Sequence, residues 1–234
     1  MAIETLDDTN LLAVKFRIRG TLIYLSHAQM LRLFQRACVR AGINLQYSQG
    51  MNPHPKMSLP LPRPVAVESD EELLTFRVHT GGDTADSCII CNTIKDELSS
   101  QLPAGCELIS VNIAGQGQSF VPASATYVIP LRRDCLDERL RLAIEHLLAS
   151  ESVVVRRETF KHGSMGKKNG AGDKIVDVRR FLKSLELNGT DIIAVCEITP
   201  SGAINPREIM ELLGIDAQKL AAPLKRTNVH WRNI

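Results

Sequence analysis

Five prolines stand within twelve residues of one segment, and they constrain the fold of this chain more than any other feature. They are Pro53, Pro55, Pro60, Pro62 and Pro64. Proline lacks a backbone N–H and fixes φ, so a helix cannot run through these positions, and the residue before each proline is pushed towards an extended conformation. We therefore predict an ordered loop or an interrupted hairpin between residues 47 and 67, with a weak strand at most.

The residues on either side of the prolines predict strands and helices. Apolar and polar residues alternate over residues 12–19, which is the period of a half-buried strand. Ser26 then precedes a run of apolar residues at helical spacing that ends at Gly42, as in an N-capped helix. The first half thus has the order β-α-β-β-α-β, with its weakest strand in the proline segment. Its other predicted elements are strands at 72–79 and 106–113 and a helix at 86–101.

A similar order restarts after the residues GQGQSFVPASA, whose glycines, proline and polar residues are typical of a linker. Pro206 stands in the first turn of a predicted helix that Gly214 closes, while the state of residues 175–187 is left open. The other predicted elements are strands at 126–131, 152–158 and 191–198, a helix at 136–149 and a last strand in LKRTNVHW. We predict an α+β protein of two tandem ferredoxin-like (β-α-β-β-α-β) halves, one domain spanning 1–118 and the other 123–234.

The composition favours a soluble protein in a reducing compartment. No stretch approaches the roughly 18 apolar residues that a membrane span needs. The polar, acidic start MAIETLDDTN lacks the basic and apolar parts of a secretory signal. Six cysteines are scattered among mostly apolar neighbours, as buried reduced thiols are. We expect a cytoplasmic protein without a membrane partner.

The sequence lacks the common cofactor motifs. CxxxCxxC, which would hold the iron–sulfur cluster of a radical S-adenosylmethionine enzyme, does not occur, and neither do GxxxxGK[ST] and GxGxxG. Cys88 and Cys91 form one CxxC in an apolar helical segment, but no second pair stands at zinc-like spacing. Packing of these cysteines in the protein core is therefore favoured over a metal site. We predict no metal ion and no cofactor.

Positive charge is concentrated between Arg156 and Lys183, where nine Lys or Arg stand against three acids, although the formal net charge of the chain is only +2. Such cations can neutralise the phosphates of a nucleic acid, and the alternative is a solvated, mobile surface. Only Phe160 is available for stacking beside the loop, so we expect contact with the backbone rather than with bases. The candidate contacts are Lys167, Lys168, Lys174 and Arg179.

The segment YSQGMNPHPK is the best candidate for a specific site. Gly50 and the two prolines that flank His54 predict a rigid turn, which suits a polar group that must be held ready. The alternative is a stiff hairpin whose histidine is merely solvated. His27 is the second candidate general acid or base, while Ser26 beside it is interpreted as a helix cap. The candidate binding residues are Tyr47, Ser48, Gln49, Gly50, Asn52, His54, Lys56 and Arg63.

Several motifs together resemble the bacterial radical-SAM-linked protein family. They are YLSH, FQRA, YSQGMNPHPKMSLPLPRPV, KIVDVRRFL and TPSGAINPREIMELLG, and the resemblance extends over about Val14 to Trp231. Members of this family are separate chains or are fused behind a radical S-adenosylmethionine protein. The resemblance therefore implies a partner of that kind rather than a reaction.

The resemblance also implies that His27 and the YSQGMNPHPK residues form a shared surface. Lys174, Asp177 and Arg179 form a second, weaker cluster on the same grounds. The family tends to have a leucine and an acid after Ser-His, whereas this chain has AQ at those positions. An acid that orients His27 is therefore not implied here.

The predicted function is a non-catalytic binding module that acts with a radical S-adenosylmethionine protein and recognises RNA or another substrate for it. RNA is favoured by the basic segment and by analogy with other paired ferredoxin-like folds. One alternative is a histidine-dependent enzyme that processes or modifies RNA through His27 or His54, and another is a purely structural adaptor. A second activated group beside either histidine would favour the enzyme.

Overall fold

Contacts divide the chain into two units that are not simply its two halves. The computed structural model describes residues 9–79, 87–115, 117–159 and 172–233. One unit contains the chain up to Pro122 together with the residues from Lys225 onward, and the other contains Ala123–Leu224. The predicted C-terminal domain included everything from residue 123. By contacts, the residues from Lys225 onward, which include most of the last strand, group instead with the N-terminal unit.

The N-terminal unit contains an antiparallel sheet with two helices. The sheet order is β4-β1-β3-β10, and a very short β2 pairs with β3. The predicted order β-α-β-β-α-β is present here, and its weakest strand does lie in the proline segment. The elements are β1 (Thr9–Ile18), a 3₁₀ helix (Gly20–Tyr24), α1 (His27–Arg40), β2 (Met57–Ser58), β3 (Val67–His79), α2 (Ser87–Ser100), β4 (Cys106–Ile113) and β10 (Leu224–Asn233).

The core of this unit lies between one face of the sheet and the two helices. Alternate side chains of β1, among them Leu12, Val14 and Phe16, are buried on that face, as the period of two predicts. The rings of Phe16 and Phe34 from α1 meet edge to face with centroids 4.7 Å apart. Lys15, between Val14 and Phe16, points to the opposite face of the sheet.

A buried ion pair connects β10 with β3. Arg226 is fully buried, and its Nε and NH2 donate to the Glu72 carboxylate at 3.1 and 2.5 Å. Ser69 on β3 donates from Oγ to the Arg226 carbonyl oxygen at 3.3 Å. Two buried charges are tolerated in a core only when each is paired and hydrogen-bonded. This pair therefore fixes the position of β10 beside β3.

The turn that follows β1 requires a glycine in the residues before β4. Arg19 donates from its backbone N to the Gly105 carbonyl oxygen at 2.8 Å. Gly105 has a φ of +93°, and a Cβ at this position would lie 2.6 Å from the Arg19 carbonyl oxygen. Only glycine combines this φ with so close an approach of two backbones.

The C-terminal unit has a β5-β9-β8 sheet and a separate two-stranded β6-β7 sheet, both antiparallel. The predicted strand at 152–158 does form, but it pairs with β7 rather than with the main strands. The mixed α+β class is confirmed. No described helix has the length and apolar character needed to cross a bilayer. The elements are β5 (Phe120–Pro130), α3 (Glu138–Ala149), β6 (Val154–Thr159), β7 (Gly172–Asp177), β8 (Leu182–Asn188), β9 (Asp191–Glu197) and α4 (Pro206–Leu212).

An ion pair anchors the β6-β7 hairpin. The Arg157 guanidinium on β6 donates to both carboxylate oxygens of Glu208 on α4 at 2.7 and 2.8 Å, and to the Ala203 carbonyl oxygen at 2.7 Å. A lone two-stranded hairpin is only marginally stable in water. A bidentate arginine–carboxylate pair supplies both attraction and a fixed orientation.

Candidate nucleic-acid interface

The start of α1 is fixed by a reciprocal cap. Ser26 Oγ accepts from the Gln29 backbone N at 3.4 Å, and Gln29 Oε1 accepts from the Ser26 backbone N at 2.8 Å. This confirms the interpretation of Ser26 as an N-cap. It also gives a role to Gln29 at the junction where the resemblance leads one to expect an acid, since a glutamine at this position completes a capping box.

Three arginines form a stripe along α1. Arg32, Arg36 and Arg40 are exposed and stand four residues apart, so their positions follow one another along the helix at a rise of about 6 Å. Arg40 donates to Gln101 at the end of α2, through Nε to Oε1 at 3.2 Å and through NH2 to the carbonyl oxygen at 2.7 Å. The side chains of Arg32 and Arg36 have no hydrogen-bond or ion-pair partner among the described residues. We call this set the arginine stripe.

The arginine stripe lines an open groove of about 570 Å³ beside α1 and the end of α2. The residues that line it are Leu25, Gln29, Arg32, Leu33, Arg36, Arg40, Ser100, Gln101, Leu102 and Pro103. None of these described lining residues is acidic. The groove therefore combines positive charge with amide and hydroxyl groups, which is the chemistry that binds phosphate oxygens.

The sequence contains a further signal for this surface in the distribution of its charges. No acidic residue occurs from Thr9 to Val67, a stretch that carries eight Lys or Arg. The excess of positive charge here is larger than the excess in the basic segment between Arg156 and Lys183. The eight cations are Lys15, Arg17, Arg19, Arg32, Arg36, Arg40, Lys56 and Arg63.

The YSQGMNPHPK segment forms a small hairpin that extends from the edge of β3. Ser48 donates from its backbone N to the His54 carbonyl oxygen at 2.8 Å, and the His54 backbone N donates to Ser48 Oγ at 3.0 Å. Lys56 donates from its backbone N to Gln46 at 2.8 Å. The structure thus brings Tyr47, Ser48, His54 and Lys56 together. The tip residues Gln49, Gly50, Met51, Asn52 and Pro53 are all exposed.

The His27 side chain borders a cavity too small for a substrate. The cavity measures about 10 Å³, roughly the space of one water molecule, and Ser26, Arg63 and Glu72 also line it. Glu72 is already paired with Arg226. His54, on the exposed hairpin, is not among the lining residues. The structure therefore brings the Glu72 carboxylate and His27 to one cavity, but that carboxylate is already paired and the cavity is too small for a substrate.

Arg63 supports the backbone around the 3₁₀ helix. Its NH1 and NH2 donate to five carbonyl oxygens at 2.5–3.3 Å. Burial lowers the pKa of Arg63 from its usual value, although the nearby Glu72 carboxylate opposes this effect. A guanidinium held by carbonyls in this way has a structural role, and a bound phosphate would have to compete with them. The accepting residues are Leu22, Ile23, Leu25, Pro64 and Val67.

The second predicted cluster, in the C-terminal unit, is also held by backbone contacts. Arg179 donates to the carbonyl oxygens of Leu148, Ser150 and Leu182 at 2.8–3.1 Å. Backbone N–H groups of Val153 and Arg179 donate to the Asp177 carboxylate and hold its pKa below the usual value. The exceptions in the predicted set are Lys174, which is exposed on β7, and Lys167 and Lys168, which lie outside the described residues.

The cysteines do not form a metal site among the described residues, where no three His, Cys, Asp or Glu side chains lie close enough to hold an ion. Burial raises the pKa of Cys38, Cys106 and Cys196 to about 12, so these thiols are unreactive. Cys88 and Cys91 lie in α2. The prediction of core packing is wrong for Cys88, which is exposed because α2 starts there at the surface. Cys91 is half-buried.

Fold and site together define an α+β protein whose N-terminal unit carries an arginine-lined groove on one helix. A family model described as "Uncharacterized protein conserved in bacteria (DUF2344)" matches residues 12–206. The chain belongs to this bacterial family. A comparison with curated proteins gives no match. The family match spans β1 to the start of α4, and so includes the arginine stripe and the hairpin.

Proposed function

We propose that this chain is a non-catalytic RNA-binding module and that the arginine stripe of α1 contacts the phosphate backbone. The observation that supports this most strongly is that Arg32 and Arg36 are exposed in a groove without lining acids and have no partner among the described residues. Each cation that neutralises a phosphate releases counterions and adds affinity. Successive arginines about 6 Å apart along a helix match the step between phosphates along one strand.

Exposed aromatic side chains in the same unit favour unpaired RNA over duplex RNA as the ligand. Tyr24 is 65% exposed and directly precedes Leu25, which lines the groove. Tyr47 at the base of the hairpin is 44% exposed. Bases of single-stranded nucleic acid stack on such rings, while bases inside a duplex cannot reach them. The hairpin residues around His54 would then add discrimination among RNA sequences.

The proposed partner is a radical S-adenosylmethionine protein, to which this module would present the RNA or another substrate. This part of the proposal rests on the family resemblance of the sequence motifs. It is tested by co-expression of the chain with such a protein from the same bacterium and by analytical size exclusion of the mixture. Separate elution at micromolar concentrations of both proteins would remove the partnership and leave the RNA proposal intact.

The RNA proposal is tested by exchanging two arginines. The variant Arg32→Ala with Arg36→Ala should weaken RNA binding by roughly 2- to 30-fold, since each exposed ion pair contributes about 0.2–1 kcal/mol. The matched control is Arg139→Ala with Arg141→Ala, which removes the same charge from exposed positions of α3. Fluorescence anisotropy with single-stranded RNA, duplex RNA and single-stranded DNA gives the affinities.

The control pair separates a specific groove from a general effect of charge. Equal losses for both pairs would show that net charge, and not the groove, determines binding. No binding of any RNA by the wild-type chain would favour the structural adaptor. The variant His54→Ala should change the ranking of different RNAs while it leaves the mean affinity nearly unchanged, because an imidazole on the hairpin makes a local contact.

A further inference from the structure

A second cleft lies against the face of the N-terminal sheet that is opposite α1. Its volume is about 430 Å³, within the range of small-ligand sites. Residues of β1, β3, β4 and β10 line it, and Ala13 and Lys15 of β1 stand two apart on the face opposite the core. The residues that line it are Ala13, Lys15, Leu73, Asn112, Ile113, Ala114, Gln118, Phe120, Val229, His230 and Trp231.

Hydrogen bonds set the walls of this cleft without a ligand. In the sheet, Ala13 is paired with Asn112 and Lys15 with Leu73. The connection after β4 is fixed by a reciprocal pair: Gly115 donates from its backbone N to Gln118 Oε1 at 2.9 Å, and the Gln118 backbone N donates to the Gly115 carbonyl oxygen at 3.1 Å. A cleft with such walls is largely formed before anything binds, which reduces the entropy lost on binding.

The charge of the cleft differs from that of the α1 groove. The described residues that line it include no carboxylate and one lysine, Lys15, which pairs through Nζ with Glu71. A cation with a carboxylate partner gives little net attraction for a phosphate. The cleft therefore fits a ligand without formal charge, in contrast to the arginine stripe.

The remaining lining groups identify the class of that ligand. Phe120 and Trp231 provide two aromatic rings, and stacking on such rings favours flat heterocycles. The exposed Asn112 provides a hydrogen-bonding amide beside them. We propose that this cleft binds a nucleobase, stacked on an aromatic ring and hydrogen-bonded through the Asn112 amide. The site is independent of the proposed α1 interface, because it lies on the other face of the sheet.

The single tryptophan of the chain allows a direct test. Trp231 is the only tryptophan, so fluorescence excited at wavelengths that tryptophan absorbs and tyrosine does not reports on this cleft. Titration of the full chain with adenosine, guanosine, cytidine and uridine should give a saturable change with at least one nucleoside, and ribose should give none. Phe120→Ala should weaken that binding about 5- to 150-fold, as expected for the loss of one stacking ring. Asn112→Ala should weaken it about 2- to 13-fold.

Control variants separate the loss of a stacking ring from damage to the fold. Phe120→Leu keeps an apolar side chain without a ring, so it must also lose affinity while circular dichroism stays unchanged. Val121→Ala, at the next position of β5, should have no effect. The variant Arg32→Ala with Arg36→Ala should bind nucleosides normally, so failure of the α1 proposal and failure of this one are separable.

A comparison of free and polymeric ligands identifies the source of the base. If Trp231 quenching shows that a short single-stranded RNA binds with higher affinity than its nucleosides, the ligand is an unpaired nucleotide of RNA. Tighter binding of the free nucleoside would make it a small molecule. No saturable change with any nucleoside or single strand at millimolar concentration would overturn the proposal, and so would equal quenching by ribose.

Discussion

Two sets of basic side chains in the N-terminal unit differ in whether they have acidic partners. Arg17 on β1 and Arg19 just after it both reach the Asp70 carboxylate, at 3.6 and 2.9 Å, and Lys225 on β10 lies 3.9 Å from it. Arg17 also pairs with Glu107 at 2.9 Å. On α1, Arg32 and Arg36 have no such partner among the described residues. Positive charge is therefore neutralised on the sheet and left available on the helix.

This difference shows that position in the fold, and not the number of cations, determines where an anion can bind. The acids that neutralise the β1 cations come from β3 and β4, which are distant in sequence and adjacent in the sheet. Along its arginine side the helix meets the end of α2, where Arg40 contacts Gln101 rather than an acid. Removing the acidic partners one at a time tests what each of them contributes.

The largest effect is expected where a cation is both buried and paired. Glu72→Gln would leave the fully buried Arg226 without a carboxylate, and we expect the free energy of unfolding to fall by about 3–5 kcal/mol. Chemical denaturation followed by circular dichroism measures this. The neighbouring Glu71→Gln, whose partner Lys15 is partly exposed, should cost at most about 1 kcal/mol.

A double variant tests whether the Glu72 effect comes from charge. Glu72→Leu combined with Arg226→Met replaces the pair by apolar side chains and should recover most of the lost stability. If Glu72→Gln has no larger effect than Glu71→Gln, burial of the pair is not what distinguishes these cations.

A smaller effect is expected from Asp70, the shared partner of the β1 cations. Asp70→Asn should lower stability by at most about 1 kcal/mol, because these pairs are partly exposed. It should also make the β1 side attractive to RNA, and raise the magnitude of the slope of log K against log salt by up to about one unit. Anisotropy titrations at several salt concentrations measure it, and an unchanged slope would mean that Asp70 does not suppress binding.

Much of the fold follows from local sequence patterns, and the exceptions depend on distant partners. The period of β1, the cap at Ser26 and the exclusion of helix by the prolines are local, and each agrees with the structure. The place of β10 could not be predicted locally, because Arg226 finds its buried partner 154 residues earlier. The structural role of Arg63 was not predictable locally either, because three of its five carbonyl partners belong to the 3₁₀ helix and the residue after it, about forty residues earlier.

The candidate site is likewise only partly visible in the sequence. The acid-free stretch from Thr9 to Val67 can be seen there directly. The sequence does not show which of these cations are neutralised, because that depends on the strand register that brings Asp70 and Glu107 beside Arg17. The hairpin around His54 was predictable because its two prolines and Gly50 restrict the backbone locally.

The smallest effect on stability is expected on α1 itself. Arg32→Ala with Arg36→Ala should change the free energy of unfolding by less than about 0.5 kcal/mol, because exposed side chains without partners contribute little and alanine favours a helix. Urea denaturation of the wild type and the variant measures this. A loss above about 2 kcal/mol would show that these arginines support the fold, and would remove the contrast with the β1 cations.

The central claim is that Arg32 and Arg36 bind phosphates, and the salt dependence of RNA affinity tests it most directly. Each lost phosphate contact lowers the magnitude of the slope of log K against log salt by about 0.7 for a single strand and about 0.9 for a duplex. The slope for Arg32→Ala with Arg36→Ala should therefore be smaller than the wild-type slope by about 1.4 to 1.8. Equal slopes for the wild type and this variant, with the same RNA and buffer, would contradict the claim.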